Sequence, residues 1–373
     1  MIWVESTAYG AVCPRCGRAS VAYHDGYERT IRDFPILGRP VYLRVWQRRF
    51  KCGPCRKPFN EPLPAIEWEQ RQTRRYQHFL VEQCRTSAFQ EVSHKHQIGY
   101  RIVERLYYRQ ARHQFDERPR RLPKCMGMDE FAKGKGHDYA TVMVNLRTHQ
   151  VFEVLDKRTK ATVGDFLADR TDRRRLKVVT IDMRREFRDA VQEQCPWALI
   201  VVDRFHVMQQ ATAVLHAVRK RLTRQAPAAD QERLKGSRKL LSHATERLLP
   251  PQRQHLYTVL VDFPELRWAH TLVHWLRRWY DLTDVHVARA RLRAWLYRVK
   301  HANVPELNAL AATIRRWRIW ILHFFRDRVT NGVTEGINTK IKLLKRLAYG
   351  LPNFAHIRAR ILMEFASEMA LPP

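Results

Sequence analysis

KVVTIDMRREFRDAVQEQCPWALIVVDRFH, residues 177–206, holds two short apolar runs, each ending in an aspartate, around one amphipathic stretch. VVTI and LIVV are brief and rich in β-branched residues, so they read as buried strands. REFRDAVQEQC between them reads as a helix. Asp182 and Asp203 then stand at the carboxyl ends of two strands. Upstream, KCMGMDEFAKGKGHDYATVMVNLRTHQVFEVLD (124–156) predicts a strand ending near Asp129, a glycine-bearing turn and a hairpin made of YATVMVNL and QVFEVLD. The order β-β-β-α-β-α-β predicts a mixed sheet with acids gathered at one end of neighbouring strands. An aspartate at a strand end usually starts a turn or caps a helix. Three of them in the apolar strands of one region point to a cation site instead. Carboxylates suit hard Mg²⁺, and a pair of such ions clamps the attacking and leaving oxygens of a phosphodiester displacement.

Bulk composition narrows the partners. The 373 residues include 68 Lys and Arg against 37 Asp and Glu, a formal charge of +31. Such a field favours a polyanion, because neutralised phosphates release counterions. A membrane surface is the competing polyanion, but no long apolar run and no signal-like amino terminus is present. With 45% hydrophobic residues the chain is no disordered basic tail. A soluble, intracellular nucleic-acid-binding protein with two or three domains is expected.

Seven cysteines and no leader argue against a disulfide framework. Cys13 and Cys16 form one CxxC pair, and Cys52 and Cys55 another. Two such knuckles complete a tetrahedral Zn²⁺ site. VYLRVWQRRF (41–50) between them alternates as a half-buried strand does, so residues 1–60 read as a zinc ribbon. Redox-active CxxC motifs would need a thioredoxin-like βαβ pattern, which is missing. Next, YQHFLVEQC, SAFQEVSHKH and YRIVERLYYRQ read as three short amphipathic helices, with a tight break at Gln97–Gly99. That is a helix-turn-helix over 61–118, with Tyr100, Arg101 and Arg105 on its recognition helix.

GMDEFAKGK, VVTIDMRREFRDAV, VVDRFHVMQQA and NGVTEGINTKIKLLKRLAYG together resemble, in order, the motifs of bacterial insertion-sequence transposases of the ISL3 family. The resemblance covers nearly the whole chain. It implies a DDE enzyme with a ribonuclease-H-like α/β core and an amino-terminal zinc ribbon. It also implies metal-dependent strand cleavage and strand transfer, using Mg²⁺ or Mn²⁺ for catalysis and Zn²⁺ for structure. Carried onto this sequence, Asp129 is the first catalytic acid and metal ligand, and Glu335 the last. The ribonuclease-H-like strand order makes Asp182 the second. Asp203 is the alternative, or else a supporting residue with His206 in the DRFH box.

The 152 residues between Asp182 and Glu335 exceed a simple core. Residues 207–327 are helical by pattern, with Trp268, Leu272, Trp275, Leu276 and Trp279 on one face. Six of ten tryptophans fall between 268 and 320, and they are expected to be the core of an all-helical insertion and not base-stacking platforms. The core is then expected to comprise 119–206 before the insertion and 328–373 after it. From Arg328 to Met363 the sole acid is Glu335, set among cations. A helix turning Glu335 toward Asp129 and Asp182 carries Asn338 on the same face, with Asn338, Lys340, Lys342, Lys345 and Arg346 offered to DNA.

The expected partners are double-stranded DNA, as terminal inverted repeats and as target, and further copies of the chain in a dimer or larger assembly. Cytoplasmic, nucleoid-associated placement follows. The rival readings are a nuclease that does not join strands and a DNA-binding regulator with an inactive core. RNA binding has charge alone in its favour.

Overall fold

The computed structural model describes residues 1–67, 70–117, 120–134, 136, 138–347 and 353–365. It divides into two compact units, residues 1–119 with 343–364 and residues 120–342 with 365–373.

The first unit begins with β1 (Ile2–Val4), β2 (Ala11–Val12), β3 (Ala19–Ser20), β4 (Tyr23–Ile36), β5 (Arg39–Lys51) and β6 (Pro58–Asn60). β4 and β5 form a long antiparallel hairpin, flanked by β6 and by β1 on β5. Its turn is Leu37–Gly38, both at positive φ (49° and 74°), as a two-residue hairpin loop requires. Each CxxC lies in a hairpin loop, one between β2 and β3, the other between β5 and β6. The helices α1 (Arg74–Thr86), α2 (Phe89–His96) and α3 (Tyr100–Phe115) follow. Thr73 caps α1 by accepting from the Tyr76 N–H. Gln97 ends α2 in the left-handed region (φ 51°), its N–H returning to the His94 and Ser93 carbonyls. Gly99 then starts α3, so the expected break stands where the sequence places it.

The second unit contains β7 (Cys125–Ala132), β8 (Tyr139–Asn145), β9 (Gln150–Leu155), α4 (Lys160–Ala168), β10 (Val178–Ile181), α5 (Arg185–Gln194) and β11 (Leu199–Val202). The sheet order is β11-β10-β7-β8-β9. β7, β8 and β9 form an antiparallel meander, whereas β10 and β11 run parallel to β7. The element order agrees with the sequence reading. One strand differs. β7 does not end near Asp129 but continues to Ala132, because β8 pairs with it as far as Tyr139.

The helices α6 (Arg204–Gln225), α7 (Ala228–Gly236), α8 (Arg238–Ser242), α9 (Pro250–Asp262), α10 (Pro264–Trp279), α11 (Val285–Ala302) and α12 (Pro305–Leu322) come next. One apolar core runs from the sheet into these helices. Trp279, Trp295 and Trp317 are buried in it, and the indoles of Trp279 and Trp295 donate to the Ala288 and Leu272 carbonyls (both 2.8 Å). The core reading of these tryptophans therefore holds. It does not extend to Trp268, which is 48% exposed.

Two more helices close the chain, α13 (Gly332–Leu347) and α14 (Phe354–Phe365). Within the span 328–373, expected to complete the catalytic core, residues 343–364 group by their contacts with the amino-terminal unit. Arg360 of α14 is 2% exposed and lies over the rings of Phe89 (4.0 Å) and Tyr107 (5.3 Å). Its guanidinium donates to the Cys84 carbonyl at 3.2 Å. His356 stacks on Tyr108, and Arg358 pairs with Asp116. A buried guanidinium needs such partners, and α1, α2 and α3 supply them. The expected boundary at 118/119, the tip of the glycine-bearing turn, Ala348–Gly350 of the last motif and the tail from 366 lie outside the described residues. Among those described, no helix is long and apolar enough to cross a membrane.

Candidate active site and metal centre

Strand register sets the acids. Met128 pairs with Ile181, and Ile181 with Val202, across three adjacent parallel strands. The next residue on each is Asp129, Asp182 and Asp203, so three carboxylates stand level in one row with Asp182 in the middle. The Asp203 N–H donates to the Ile181 carbonyl at 2.9 Å, which extends the register to the acids.

Burial penalises all three as anions. It pushes Asp182 up to about 7, with the neighbouring Asp129 charge adding and Arg184 opposing. Burial also raises Asp129 and Asp203, while the nearby His206 pulls both the other way. Asp182 Oδ1 and Asp203 Oδ1 are buried without a hydrogen-bond partner. Unpartnered buried carboxylate oxygens are costly, and hard-cation ligation would satisfy them. The residue types present therefore fit Mg²⁺ or Mn²⁺. Arg184 lies 3.3 Å from Asp182 and also pairs with Glu130 (2.5 Å), which Arg158 holds at 2.6 Å. Asp182 and the half-buried His206 line a polar groove of about 430 Å³, with Arg185, Gln210 and Arg316 on its walls.

The amino end of α13 is fixed against β7. Asn331 donates to the Met128 carbonyl (3.4 Å), and Thr334 donates to Asn331 Oδ1. This approach is possible because residue 127 is glycine, since a Cβ there would lie 2.1 Å from Asn331 Oδ1. Asn338, expected among the DNA contacts, donates to Asp129 Oδ2 at 2.9 Å and toward the Glu130 carbonyl at 3.3 Å. The structure does not draw Glu335 into the aspartate row. Its side chain is exposed, one helical turn before Asn338, where neighbours on a helix surface stand about 5–6 Å apart at Cβ. Lys340, Lys342 and Arg346 are exposed along α13 and Lys345 is half-buried. Tyr100, Arg101 and Arg105 are exposed on α3, as a recognition helix requires. Gly127, Asn331 and Thr334 were missed from the sequence. An Asn-Gly pair opening a helix was the available signal.

The four ribbon cysteines converge. The Sγ atoms of Cys13, Cys16, Cys52 and Cys55 all lie within 4.8 Å of one another, and Cys16 to Cys52 is 3.5 Å. Thiolates around Zn²⁺ at about 2.3 Å stand about 3.8 Å apart, so this cluster fits zinc. The neighbouring Cys16 and Cys52 sulfurs push Cys55 up to about 12, which a divalent cation would reverse. Cys13 falls to about 7: burial raises it, and the Arg15 and Cys16 N–H groups and two thiols outweigh that. Among the described residues it is the one group of three or more candidate ligands this tightly gathered.

Comparison with known proteins identifies the domains. Residues 126–361 match the transposase domain of the ISL3 family. The chain belongs to the ISL3 family of transposases. Residues 10–55 of the transposase match the zinc-finger of transposases IS204, IS1001, IS1096 and IS1165, and 61–111 match the family's helix-turn-helix domain. It is 30% identical over 356 residues to the transposase for insertion sequence element IS1001 of Bordetella parapertussis, covering 94% of this chain and 87% of that relative. It is 27% identical over 376 residues to the transposase for insertion sequence element IS1557 of Mycobacterium tuberculosis, covering 91% and 82%. The transposase thus carries a zinc ribbon and a helix-turn-helix ahead of its transposase domain.

Proposed function

We propose that this transposase binds the terminal inverted repeats of an insertion sequence and catalyses strand cleavage followed by strand transfer on a ribonuclease-H-like core. The sheet order β11-β10-β7-β8-β9, with the second strand antiparallel to the first and the last two parallel to it, supports that core. The observation that carries the reading is the level row of Asp129, Asp182 and Asp203, with Asp182 opening onto the polar groove. Asp129, Asp182 and Glu335 are the residues we assign to Mg²⁺ or Mn²⁺. A divalent cation held there supplies Lewis-acid stabilisation of charge on the phosphate oxygens.

The chain's own residues do the rest. Asn338 fixes the Asp129 carboxylate by donating to one oxygen, and the Glu130 N–H fixes the other at 2.7 Å. His206 sets its charge against Asp129 and Asp203, so the DRFH box supports the row. Exposed Glu335 is free to turn toward the row as DNA enters. Hydrolysis of a phosphodiester at the element's end leaves a 3′-hydroxyl. That oxygen then bonds to a target phosphorus while the target's own P–O3′ bond breaks. Two ends must be held together, so a dimer or larger assembly is expected on DNA. Tyr100, Arg101 and Arg105 contact the repeats, and Lys340, Lys342, Lys345 and Arg346 contact phosphates.

The test is cleavage and joining of repeat-ended DNA by purified protein with Mg²⁺ or Mn²⁺. Asp129→Asn, Asp182→Asn and Glu335→Gln are expected to abolish both steps, and Asp203→Asn to retain part. Full activity in Glu335→Gln would remove Glu335 from the site. Repeat binding without any cleavage by the wild type would favour the regulator reading.

A further inference from the structure

A few arginines of the helical segment have carboxylate partners. Arg221 pairs with Glu265 and Glu306, and Arg233 with Asp230 and Asp262. α11 behaves differently. No acid occurs from Val285 to Pro305, nor from Leu307 to Arg326, so both α11 and nearly all of α12 lack carboxylates. Between the two helices runs a groove of about 340 Å³. Arg289 and Arg293 form one wall, with Arg318 and Arg326 on the other, and all four are exposed. None of them has an ion-pair partner among the described residues.

Exposed guanidinium groups crowded without counter-charges repel one another, so this face is complementary to a polyanion. The floor distinguishes between two kinds. Leu292 and Leu322 are buried, and Ile319 (53%) is the one large apolar side chain of the lining that is openly exposed. Val285 and Leu296 complete an apolar floor between the cationic walls, but with one openly exposed anchor it suits the i, i+3, i+4 and i+7 contacts of an amphipathic acidic helix less than a backbone held by the walls. A nucleic-acid backbone needs cations on both walls and little else.

Position adds to charge. His323 lines the same groove, and its Nδ1 bonds the Ile200 carbonyl of β11 at 2.7 Å, three residues before Asp203. Arg316, two residues before Arg318 on α12, lines the groove that holds Asp182 and His206. One helix therefore presents cations to the acid row and to the arginine groove. We propose that the groove between α11 and α12 is a DNA-backbone site holding the segment that flanks the scissile phosphate. This rests on the assignment of the acid row as the place of cleavage.

The test is binding of the full chain to fluorescent duplexes over a series of NaCl concentrations, without divalent metal. One duplex ends at the terminal repeat and the other continues into flanking DNA. The quadruple variant Arg289→Ala, Arg293→Ala, Arg318→Ala and Arg326→Ala changes exposed positions and should leave folding little altered. On the flanked duplex the variant is expected to lower the slope of log K against log salt by about 3 to 4, near 0.9 for each lost phosphate contact. On the duplex without flank the two proteins should bind alike, and four Arg→Lys changes should restore most of the slope. An equal slope for wild type and alanine variant on flanked DNA overturns the proposal and points to an acidic protein partner. If wild type binds repeat and random duplexes equally, the terminal-repeat reading fails, while the slope difference still decides the groove.

Discussion

Asp182→Asn should stabilise the protein in the absence of metal. Burial and the adjacent Asp129 charge lift the Asp182 carboxyl from 3.8 to about 7. At about 1.4 kcal/mol for each pH unit, keeping Asp182 ionised in the folded state costs about 4 kcal/mol. Its side chain retains 15% exposure and lies 3.3 Å from Arg184, so solvent and local rearrangement reduce this to roughly 2–4 kcal/mol. The sign follows from proton binding. With the folded value above the unfolded one, the stabilising contribution is fully present below pH 3.8. It is lost as pH rises toward 7, where the folded state must give up its proton. Asparagine carries no charge and shows no such loss.

The assay is thermal unfolding of wild type and Asp182→Asn in chelator at several pH values from 4.5 to 8. For a unit of this size, roughly 2–4 kcal/mol corresponds to a Tm difference on the order of 5–10 °C. That difference should be small at pH 4.5, grow through pH 6 and level off above pH 7. Adding Mg²⁺ at pH 8 should raise the wild-type Tm and leave the variant nearly unmoved, because ligand binding stabilises only the state that binds. A pH-independent difference, or a variant less stable than wild type at pH 8, would refute the argument that Asp182 is held as a strained anion awaiting a cation.

Three further outcomes are expected. Cys55→Ser should lower the zinc content, measured by atomic emission, from about one ion per chain toward none. Activity on repeat-ended DNA should fall with it, and retention of a full zinc complement would contradict the four-thiolate site. Gly127→Ala puts a methyl group 2.1 Å from Asn331 Oδ1, displacing the start of α13 at a cost on the order of 1–3 kcal/mol. Denaturant unfolding that matched wild type would show that α13 is not held there. Burial lowers His270 to about 3 and His274 to about 4, and the two rings lie 4.0 Å apart beside Arg277. Both are neutral when folded, so stability is full above pH 6.5 and falls as pH drops toward their folded values. By pH 5 the loss is about 2 kcal/mol for each ring, and His270→Gln with His274→Gln should flatten that acid slope in urea titrations.

The legible parts of this protein were those set by local pattern. Short apolar runs ending in Asp182 and Asp203 gave strand identity and the shared end of the sheet, because parallel strands buried on both faces leave few other readings. The paired CxxC spacing gave the ribbon, since each knuckle closes within a single hairpin loop. Three things were not legible. The length of β7 depends on pairing with β8, a partner that the KCMGMDEF stretch does not encode. The grouping of α14 with the helix-turn-helix depends on Arg360 meeting Phe89 and Tyr107, a contact across some 250 residues of sequence. The role of Asn338 depends on which side of α13 faces Asp129, which helical spacing restricts to a face without selecting the residue.

That last point bears on how the acids divide their work. Asp203 is 2% exposed, and the N–H groups of Asn331 and Phe205 favour its charged form. It thereby joins the end of β11 to the residue preceding α13, while its Oδ1 keeps no partner. Asp182 has no such backbone donors among its influences, keeps a partnerless oxygen and opens on the groove. Arg184 is its one cationic neighbour, and Glu130 draws that guanidinium the other way at 2.5 Å. Asp182 is therefore expected to take up a cation more readily than Asp203. Asp182→Asn is therefore expected to lose more cleavage activity than Asp203→Asn: both acids keep a partnerless oxygen, but Asp203 also has backbone donors, whereas Asp182 lines the groove.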